Sequence, residues 1–247
     1  MRFLWLIFSC FLTFFTPSLN ATYGASWSFG GRSNVLLIGD SLSAGPFGKE
    51  MQEYLIDKFT ESKVYVYASC GSSPEHWLAS EPTFVSKCGF RVKTPSKFLH
   101  GDFEKGRPPE PYATPKLESL LRDIRPQIVI VQLGTNWFDV LNEKLDDEQL
   151  GRLRNFVEKF ASEVKARDPR TQLIWITPPD SSKFRRIQPE VTRLIRTVQR
   201  RMGFSLVDSS EMVRYVPGQT GSDGVHYSSA DALKWAEGVQ RQLRRIL

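Results

Sequence analysis

A serine, a histidine and an aspartate are placed in this sequence as a nucleophilic serine mechanism requires. Ser41 directly follows the apolar run NVLLIGD, so we expect its hydroxyl at the carboxyl end of a strand. Asp223 lies three residues before His226, across a turn that contains Gly224. At this spacing the carboxylate can reach Nδ1 of the imidazole and hold Nε2 towards a third group. Together these residue types can activate a serine hydroxyl for attack on an acyl carbonyl.

Two further positions could stabilise the oxyanion that such an attack creates. Asn136 lies in the stretch GTNW after the apolar run QIVIVQL, and Gly71 lies in the stretch SCGSS after the run VYVYAS. A preorganised side-chain amide that donates to an oxyanion typically contributes about 2.7 to 4 kcal/mol. Each position also has a simpler interpretation, because an asparagine can satisfy its own turn and a single glycine indicates little.

Ser41 could instead be an ordinary helix cap, since serine is favoured just before the first helical turn. The chain contains three histidines, and His76 and His100 remain open as alternative bases. The acid at a usable spacing before His226 and the amide at position 136 favour the nucleophile. This interpretation is compatible with a helix that starts at Ser41.

The elements that must position these residues alternate along the chain. Short apolar, β-branched runs predict five strands, at 34–39, 64–69, 127–133, 172–177 and 204–208. Apolar residues at intervals of three and four, together with start and stop signals, predict helices at about 114–125, 150–164, 187–202 and 229–245. Strands that alternate with helices form a parallel sheet between two helical layers. The chemistry of such sheets gathers at the carboxyl ends of the strands.

Four separate blocks of the sequence resemble the GDSL, or SGNH, hydrolase family. They are GDSL at 39–42, Gly71, GTN at 134–136 and DGVH at 223–226. Their order and spread match the family from the first strand to the last helix. The resemblance implies a flavodoxin-like fold, a three-layer α/β/α sandwich with a five-stranded parallel sheet.

The resemblance also implies a role for each residue of these blocks. Ser41 would be the nucleophile and His226 the general base, with Asp223 orienting the imidazole. The oxyanion hole would comprise the backbone N–H groups of Ser41 and Gly71 and the side chain of Asn136. The enzyme would be a carboxylic ester hydrolase that needs no metal and no organic cofactor.

Two positions depart from the pattern that is common in the family. Ser69 stands where an asparagine often precedes the glycine of the second block, and Trp137 follows GTN where an aspartate is common. Neither departure removes a catalytic group. Both weaken any transfer of substrate from better-known branches of the family.

The first 21 residues have the layout of a secretory signal peptide. Arg2 precedes an apolar stretch from Phe3 to Phe15, and small Ala21 follows Pro17. We therefore expect a secreted or periplasmic protein whose mature part, 22–247, is one domain without stable membrane insertion. An uncleaved anchor is the main alternative, although the stretch is short of the ~20 residues that span a bilayer. Lipid attachment at Cys10 is a further alternative.

An insertion at about 72–112 interrupts the alternation of strands and helices. Removal of the leader leaves two cysteines, Cys70 and Cys88, in a compartment that permits disulfides, so we expect them to pair. By the chain-entropy estimate such a bridge contributes about 3 kcal/mol. Two unpaired buried thiols are the alternative. A bridge would make the insertion an ordered flap beside the strand ends.

The distribution of charge and of aromatic residues limits the kinds of partner that this chain is expected to bind. The net charge of +6 is spread along the chain, without the clustered stripe or module that nucleic-acid binding requires, and we expect a monomer. Trp77, Trp137 and Tyr227 lie close to the catalytic blocks and could stack on a sugar. The leading hypothesis is an esterase that cleaves acyl esters, above all O-acetyl groups, from an envelope or extracellular polysaccharide.

Two other functions remain open at this point. A lipolytic esterase or thioesterase would need a long apolar groove, whereas the insertion sequence RVKTPSKFLHGDFEKGRPPEP is mixed and charged. A carbohydrate-binding protein on the same fold would have lost its activity. It would have no need to keep the nucleophile, the base, the orienting acid and the oxyanion donor together.

Overall fold

The computed structural model describes residues 33–102, 107–137 and 145–247, and the signal peptide expected at 1–21 lies outside them. In chain order the strands are β1 Val35–Gly39, β2 Val64–Ser69, β3 Val85–Ser86, β4 Phe90–Thr94, β5 Lys97–Gly101, β6 Tyr112–Ala113, β7 Ile128–Gln132, β8 Gln172–Ile176 and β9 Ser205–Val207. The helices are α1 Ser41–Ala44, α2 Pro46–Phe59, α3 Pro74–Trp77, α4 Leu117–Ile124, α5 Asp147–Arg167, α6 Gln188–Met202 and α7 Ser229–Ile246.

A mixed sheet of seven strands runs through the molecule in the order β5-β4-β2-β1-β7-β8-β9. β2, β1, β7, β8 and β9 are parallel and lie at the five predicted positions. The predicted fold is therefore confirmed, and the sheet is larger by two antiparallel strands. Gly39 pairs with Ala68 on one side and with Gln132 on the other. The first three parallel strands therefore end at one edge, where Ser41, Gly71 and Asn136 follow.

Helices cover both faces of the parallel strands. Leu36 and Ile38 of β1 belong to the cluster that includes α4, α5 and α6, while Val35 and Leu37 belong to the cluster that includes α2 and α7. All four side chains are fully buried. Since both faces of these strands are buried, the strands read as continuous apolar runs rather than as alternating ones. Each such side chain stabilises the fold by about 1.5 to 3 kcal/mol.

The insertion is more regular than the sequence indicates. β4 and β5 form a hairpin that extends the sheet beyond β2, and β3 pairs with β6 in a separate two-stranded sheet. The expected flap is thus in part a hairpin at one edge of the sheet, with β5 as the edge strand. β4 reads FRVKT, an alternation of apolar and polar residues that is typical of a half-buried strand, yet Arg91 and Lys93 are buried beside Val92.

The disulfide expected between Cys70 and Cys88 is present, with the two Cα atoms 5.5 Å apart. The N–H of Cys70 donates to the carbonyl of Gly89 at 2.9 Å, and the Ser86 hydroxyl donates to the carbonyl of Cys70 at 2.9 Å. The bridge therefore joins the end of β2 to the start of the β4–β5 hairpin.

Helix α4 begins at Leu117 rather than at the Thr-Pro signal of Thr114. The N–H of Thr114 donates to the carbonyl of Phe84 at 2.8 Å, and its hydroxyl lies 2.6 Å from the hydroxyl of Ser69. These bonds tie Thr114 to the insertion and to the end of β2, so the helix starts after it.

Candidate active site

Ser41 is the first residue of α1, and Asp40 is the cap of this helix. The Asp40 carboxylate accepts the Leu42 N–H at 2.9 Å. The alternative in which the Ser41 hydroxyl caps the helix is therefore wrong. The hydroxyl instead lies 2.8 Å from Nε2 of His226. Ser41 is 9% exposed, so its side chain is largely buried and is held by the fold.

The loop before α7 holds His226 through Asp223. Nδ1 of His226 lies 2.5 Å from Oδ2 of Asp223. Oδ1 of the same carboxylate accepts the N–H groups of Val225 at 2.9 Å and of His226 at 2.8 Å. Three hydrogen bonds thus fix the carboxylate against the imidazole, in the orientation that leaves Nε2 facing Ser41.

The environment of Asp223 favours its ionised form. Partial burial acts to raise the pKa of the carboxyl group. The hydrogen bonds from the side chain and backbone of His226 and from the Val225 N–H outweigh burial and lower the pKa to about 2. The group is therefore a carboxylate at neutral pH, as is required of a residue that must stabilise an imidazolium.

The Ser41–His226–Asp223 site is open to solvent. The side chains of His226 and Asp223 are each 49% exposed. Their ion pair is consequently screened in the resting protein. The imidazole and the carboxylate are therefore accessible from solvent.

Gly71 and Asn136, which are expected to form the oxyanion hole, follow β2 and β7 at the edge of the sheet where Ser41 follows β1. Gly71 has a φ of +81°, a conformation that side chains disfavour, and a Cβ there would lie 3.3 Å from Cζ of Phe84. Nδ2 of Asn136 donates to the carbonyl of Ser72 at 3.0 Å. The loop after β2 and the loop after β7 are therefore linked directly.

Ser72 joins these elements, and the sequence gives no signal for it. Its hydroxyl donates to the carbonyl of Gly39 at 3.4 Å and accepts the indole N–H of Trp77 at 3.2 Å. The side chain is fully buried. Ser72 thus connects the end of β1, the helix α3 and the side chain of Asn136.

The three aromatic residues expected to bind substrate lie in the core. Trp77 is fully buried, and Trp137 and Tyr227 are each 7% exposed. The indole N–H of Trp137 donates to Glu75 at 3.0 Å, and the Tyr227 hydroxyl donates to the carbonyl of Asp180. The prediction that Trp77 stacks on a sugar is wrong, because no face of the ring is accessible. Tyr227 contributes packing, whereas Trp137, although largely buried, also lines a small cavity beside Asn136.

His76 and His100 are engaged away from Ser41. Nδ1 of His76 accepts the N–H of Ser73 at 3.0 Å, and its ring stacks on Phe84 at 4.1 Å. Nε2 of His100 lies 3.2 Å from the carbonyl of Ala44. These contacts remove both residues as alternatives to His226.

The buried polar side chains of Asp40, Gln132 and Ser43 form a hydrogen-bond network that stabilises α1. Oδ2 of Asp40 accepts from the Gln132 side chain at 3.4 Å, and Oε1 of Gln132 accepts from the Ser43 hydroxyl at 2.7 Å. Burial raises the pKa of Asp40 to about 6, and the hydrogen bond from the Leu42 N–H offsets this only in part.

Asp40 is expected to make stability depend on pH. The pKa of the Asp40 carboxyl group rises from 3.8 to about 6 on folding. Its contribution to the stability of the fold is complete below pH 3.8 and is lost as the pH rises through about 6. The loss is about 3 kcal/mol in the free energy of unfolding. Urea unfolding at pH 4 and at pH 7 measures it.

Asp40→Asn is expected to remove this part of the pH dependence, whatever its absolute stability. Asp57 is exposed on α2, and Asp57→Asn is the matched control that should leave the dependence as it is in the parent. A parent-like pH dependence in Asp40→Asn would contradict the assignment.

The β4–β5 hairpin holds the other end of α1. Arg91 and His100 are paired across the two strands, and Nε of Arg91 and Nε2 of His100 each lie 3.2 Å from the carbonyl of Ala44. Arg91 is 5% exposed. Donors at the C-terminus of a helix satisfy its free carbonyl groups, and a positive charge there interacts favourably with the helix dipole. The hairpin therefore fixes the helix that carries Ser41.

Arg91→Met is expected to lower kcat for a small acetate ester about tenfold with little change in KM, because displacement of the nucleophile affects the reaction more than binding. Arg91→Lys should recover part of the loss. Steady-state kinetics of 4-nitrophenyl acetate hydrolysis measure both effects. Lys97→Met, on the exposed end of the same hairpin, is the control. An Arg91→Met variant with parent kcat would show that the hairpin does not position Ser41.

The fold and the hydrogen-bonded serine, histidine and aspartate define a class of protein, the serine ester hydrolases on an α/β/α sandwich. A family model described as GDSL-like Lipase/Acylhydrolase matches residues 35–239. The chain therefore belongs to the GDSL-like lipase/acylhydrolase family, as its four sequence blocks predict. No curated protein sequence matches the chain.

Solved structures with the same fold include esterases of several kinds. A peptidoglycan O-acetylesterase superposes with a TM-score of 0.56 at 14% identity, covering 87% of this chain and 92% of its own. Axe2, an acetylxylan esterase from Geobacillus stearothermophilus, gives 0.56 at 14% identity, with coverage of 87% and 95%. TesA gives 0.57 at 19% identity, with coverage of 87% and 99%. At sequence identities of 14 to 19%, these similarities show a shared fold.

Within the described ranges, no helix is both long enough and apolar enough to span a membrane. The same ranges contain no group of three or more His, Cys, Asp and Glu side chains that could hold a metal ion.

Proposed function

We propose that this chain is a secreted or periplasmic esterase that removes O-acetyl groups from an envelope or extracellular polysaccharide through an acyl-Ser41 intermediate. The observation that carries the proposal is the continuous hydrogen-bonded chain from Ser41 through His226 to Asp223, at 2.8 and 2.5 Å.

In this proposal His226 moves the proton. Nε2 takes the proton of the Ser41 hydroxyl as the oxygen attacks the acetyl carbonyl, and Asp223 stabilises the imidazolium that results. The tetrahedral oxyanion accepts from the N–H groups of Ser41 and Gly71 and from the Asn136 amide. His226 then returns the proton to the sugar oxygen as the C–O bond breaks. Water attacks the acyl-Ser41 by the same route in reverse and releases acetate.

The backbone N–H of Ser41 suits this role because residues in the first turn of a helix have no intrahelical acceptor for their N–H groups. Asn136 would turn from the Ser72 carbonyl to the oxyanion, or share its two amide hydrogens between them. The second option requires no movement of the loop after β7.

The shape of the site favours a short acyl group on a large alcohol. A cavity of about 170 Å³ adjoins Asn136, and its lining combines the polar side chains of Ser73, Glu75, Gln149 and Arg152 with the apolar ones of Trp137, Leu145 and Leu153. An acetyl group fits this small volume, whereas a long alkyl chain would bury the polar part of the lining without partners. The exposed His226 and Asp223 leave the leaving-group side open to a polymer. Two of the similar structures are a peptidoglycan O-acetylesterase and an acetylxylan esterase.

Acetate release tests the proposed substrate. The full chain is incubated with O-acetylated peptidoglycan, acetylated xylan and a series of 4-nitrophenyl esters of increasing chain length. The expected result is release of acetate from at least one glycan and a rate that falls as the acyl chain lengthens. A preference for long acyl esters or thioesters, with no acetate from either glycan, would replace the proposal by a lipolytic esterase or thioesterase.

We further propose that residues 1–21 are removed on export and that residues 22–247 act as a single-domain monomer. Mass determination of the N-terminus after expression in a secreting host, with sedimentation of the product, tests both points. A retained N-terminus in a membrane fraction would support an anchor instead, and a dimer would contradict the monomer.

A further inference from the structure

A second cavity lies at the same edge of the sheet, beyond the loop that carries His226. Its volume is about 590 Å³. It opens between the loop after β8, the first turns of α6 and the loop after β9. The side chains that line it include Asp180, Arg185, Gln188, Thr192, Arg193, Arg196, Glu211 and Arg214.

Four of these lining residues are arginines, and two of the four have carboxylate partners. Arg185 lies 3.4 Å from Asp180, and Arg196 is paired with Asp208. In the ranges that the structure describes, no hydrogen-bond acceptor or carboxylate is recorded for the guanidinium groups of Arg193 and Arg214, and both residues are exposed. Glu211 is the remaining acid of the lining. Two guanidinium groups therefore face the cavity with their donors available.

Thr192 presents a buried hydroxyl at the same cavity. The residue is 5% exposed, and its Oγ1 has no hydrogen-bond partner among the described residues. A buried hydroxyl without a partner is costly and is usually satisfied by water or a ligand. Thr192 is the fifth residue of α6.

The cavity is connected to the catalytic loop by direct contacts. The carboxylate of Asp180 accepts the Tyr215 N–H at 2.8 Å, and the Tyr215 hydroxyl donates to the carbonyl of His226 at 3.2 Å. The carbonyl of Asp180 also accepts the hydroxyl of Tyr227, which follows His226. A polymer bound with its ester at Ser41 could therefore extend over the His226 loop to this cavity.

We propose that the cavity binds an anionic group, a carboxylate or a phosphate, of the polymer that carries the ester. Arg193 and Arg214 contact its oxygens, and the Thr192 hydroxyl donates a hydrogen bond. Arginine suits this task because its planar fork matches both anions. The identity of the polymer as substrate rests on the proposed function, whereas binding of an acidic polymer to the cavity does not.

Binding is measured by titration calorimetry of the full chain with three polymers. Polygalacturonate carries carboxylates, a poly(glycerol phosphate) carries phosphates, and dextran carries neither. We expect the parent to bind one or both acidic polymers and not dextran. The preferred acidic polymer then identifies the anion. Absence of binding to both would overturn the proposal.

Arg193→Gln with Arg214→Gln is expected to weaken binding of the acidic polymer at least about tenfold. The matched control, Arg241→Gln with Arg245→Gln, removes the same charge from exposed positions on α7 and should change binding less than about twofold. An equal loss in both pairs would overturn the proposal, because net charge would then explain the binding. Thr192→Val removes only the hydroxyl and should also weaken binding. Parent affinity in this variant would remove Thr192 from the site.

Hydrolysis of 4-nitrophenyl acetate tests the proposed esterase activity independently of binding at the cavity. This small neutral ester does not reach the cavity, so both arginine pairs should hydrolyse it at the parent rate. Turnover without polymer binding would overturn the cavity proposal alone. Polymer binding without turnover would support the cavity and overturn the esterase.

Discussion

Ser41→Ala is expected to lower kcat for acetate esters by about 10⁴- to 10⁶-fold, the range in which removal of a serine nucleophile falls. The hydroxyl lies 2.8 Å from Nε2 of His226, and alanine leaves the base without a proton to accept. The oxyanion donors remain and account for the residual rate. Steady-state hydrolysis of 4-nitrophenyl acetate, corrected for the spontaneous reaction, measures the loss.

Ser43→Ala is the matched control for this variant. Ser43 lies in the same helix, but its hydroxyl donates to Gln132 at 2.7 Å and has no role in the proposed reaction. We expect Ser43→Ala to retain activity within about tenfold of the parent, since a supporting hydrogen bond is typically worth 0.5 to 1.5 kcal/mol. A Ser41→Ala variant as active as Ser43→Ala would exclude Ser41 as the nucleophile.

Asp223→Asn is expected to lower kcat by about 10⁴-fold, because it imposes the wrong imidazole tautomer. Oδ1 of Asp223 accepts two backbone N–H groups, so the asparagine oxygen must occupy that position. The amide nitrogen then faces Nδ1 of His226 and donates to it. Nε2 consequently carries the proton and cannot accept another from Ser41.

Comparison with Asp223→Ala tests the tautomer directly. Alanine also removes the charge but leaves Nδ1 free to hold a proton with water as acceptor. We therefore expect Asp223→Asn to be no more active than Asp223→Ala, although asparagine is the closer match in shape. An asparagine variant with near-parent kcat would show that Asp223 does not set the tautomer of His226.

The parallel sheet could be predicted because its strands carry a strong local signal. Buried on both faces, β1 and β7 consist almost wholly of apolar residues, and the catalytic blocks follow them directly in sequence. The positions of Ser41 and Asn136 therefore follow from strand order, whereas His226 lies on the loop between β9 and α7. The start of α4 was set by contacts of Thr114 that no local pattern reveals.

The hairpin and its grip on α1 could not be predicted in the same way. Arg91 and His100 are distant from Ala44 in sequence, and they meet its carbonyl only because β4 pairs with both β2 and β5. A buried arginine in a charged segment looks like a surface residue until this pairing is known. Ser72 escaped prediction for the same reason, since its partners come from three separate elements.

The roles of the aromatic and acidic residues depend on how deeply each side chain is buried, and the degree of burial cannot be read from the sequence. Trp77 and Trp137 looked like ring surfaces for a sugar, yet each indole N–H has a partner inside the protein. Asp40 and Asp223 are both acids beside a catalytic residue. Burial raises the pKa of the first, whereas hydrogen bonds from His226 and Val225 overcome burial and lower that of the second.

The most direct test of the central claim is to label the nucleophile with a fluorophosphonate and to map the modified peptide by mass spectrometry. The phosphonyl group resembles the tetrahedral intermediate, and its serine adduct is not turned over. The expected result is a single adduct on Ser41 in the parent, absent in Ser41→Ala and formed slowly in Asp223→Asn. An adduct on another residue, or acetate ester turnover by a chain that remains unlabelled, would contradict an acyl-Ser41 mechanism.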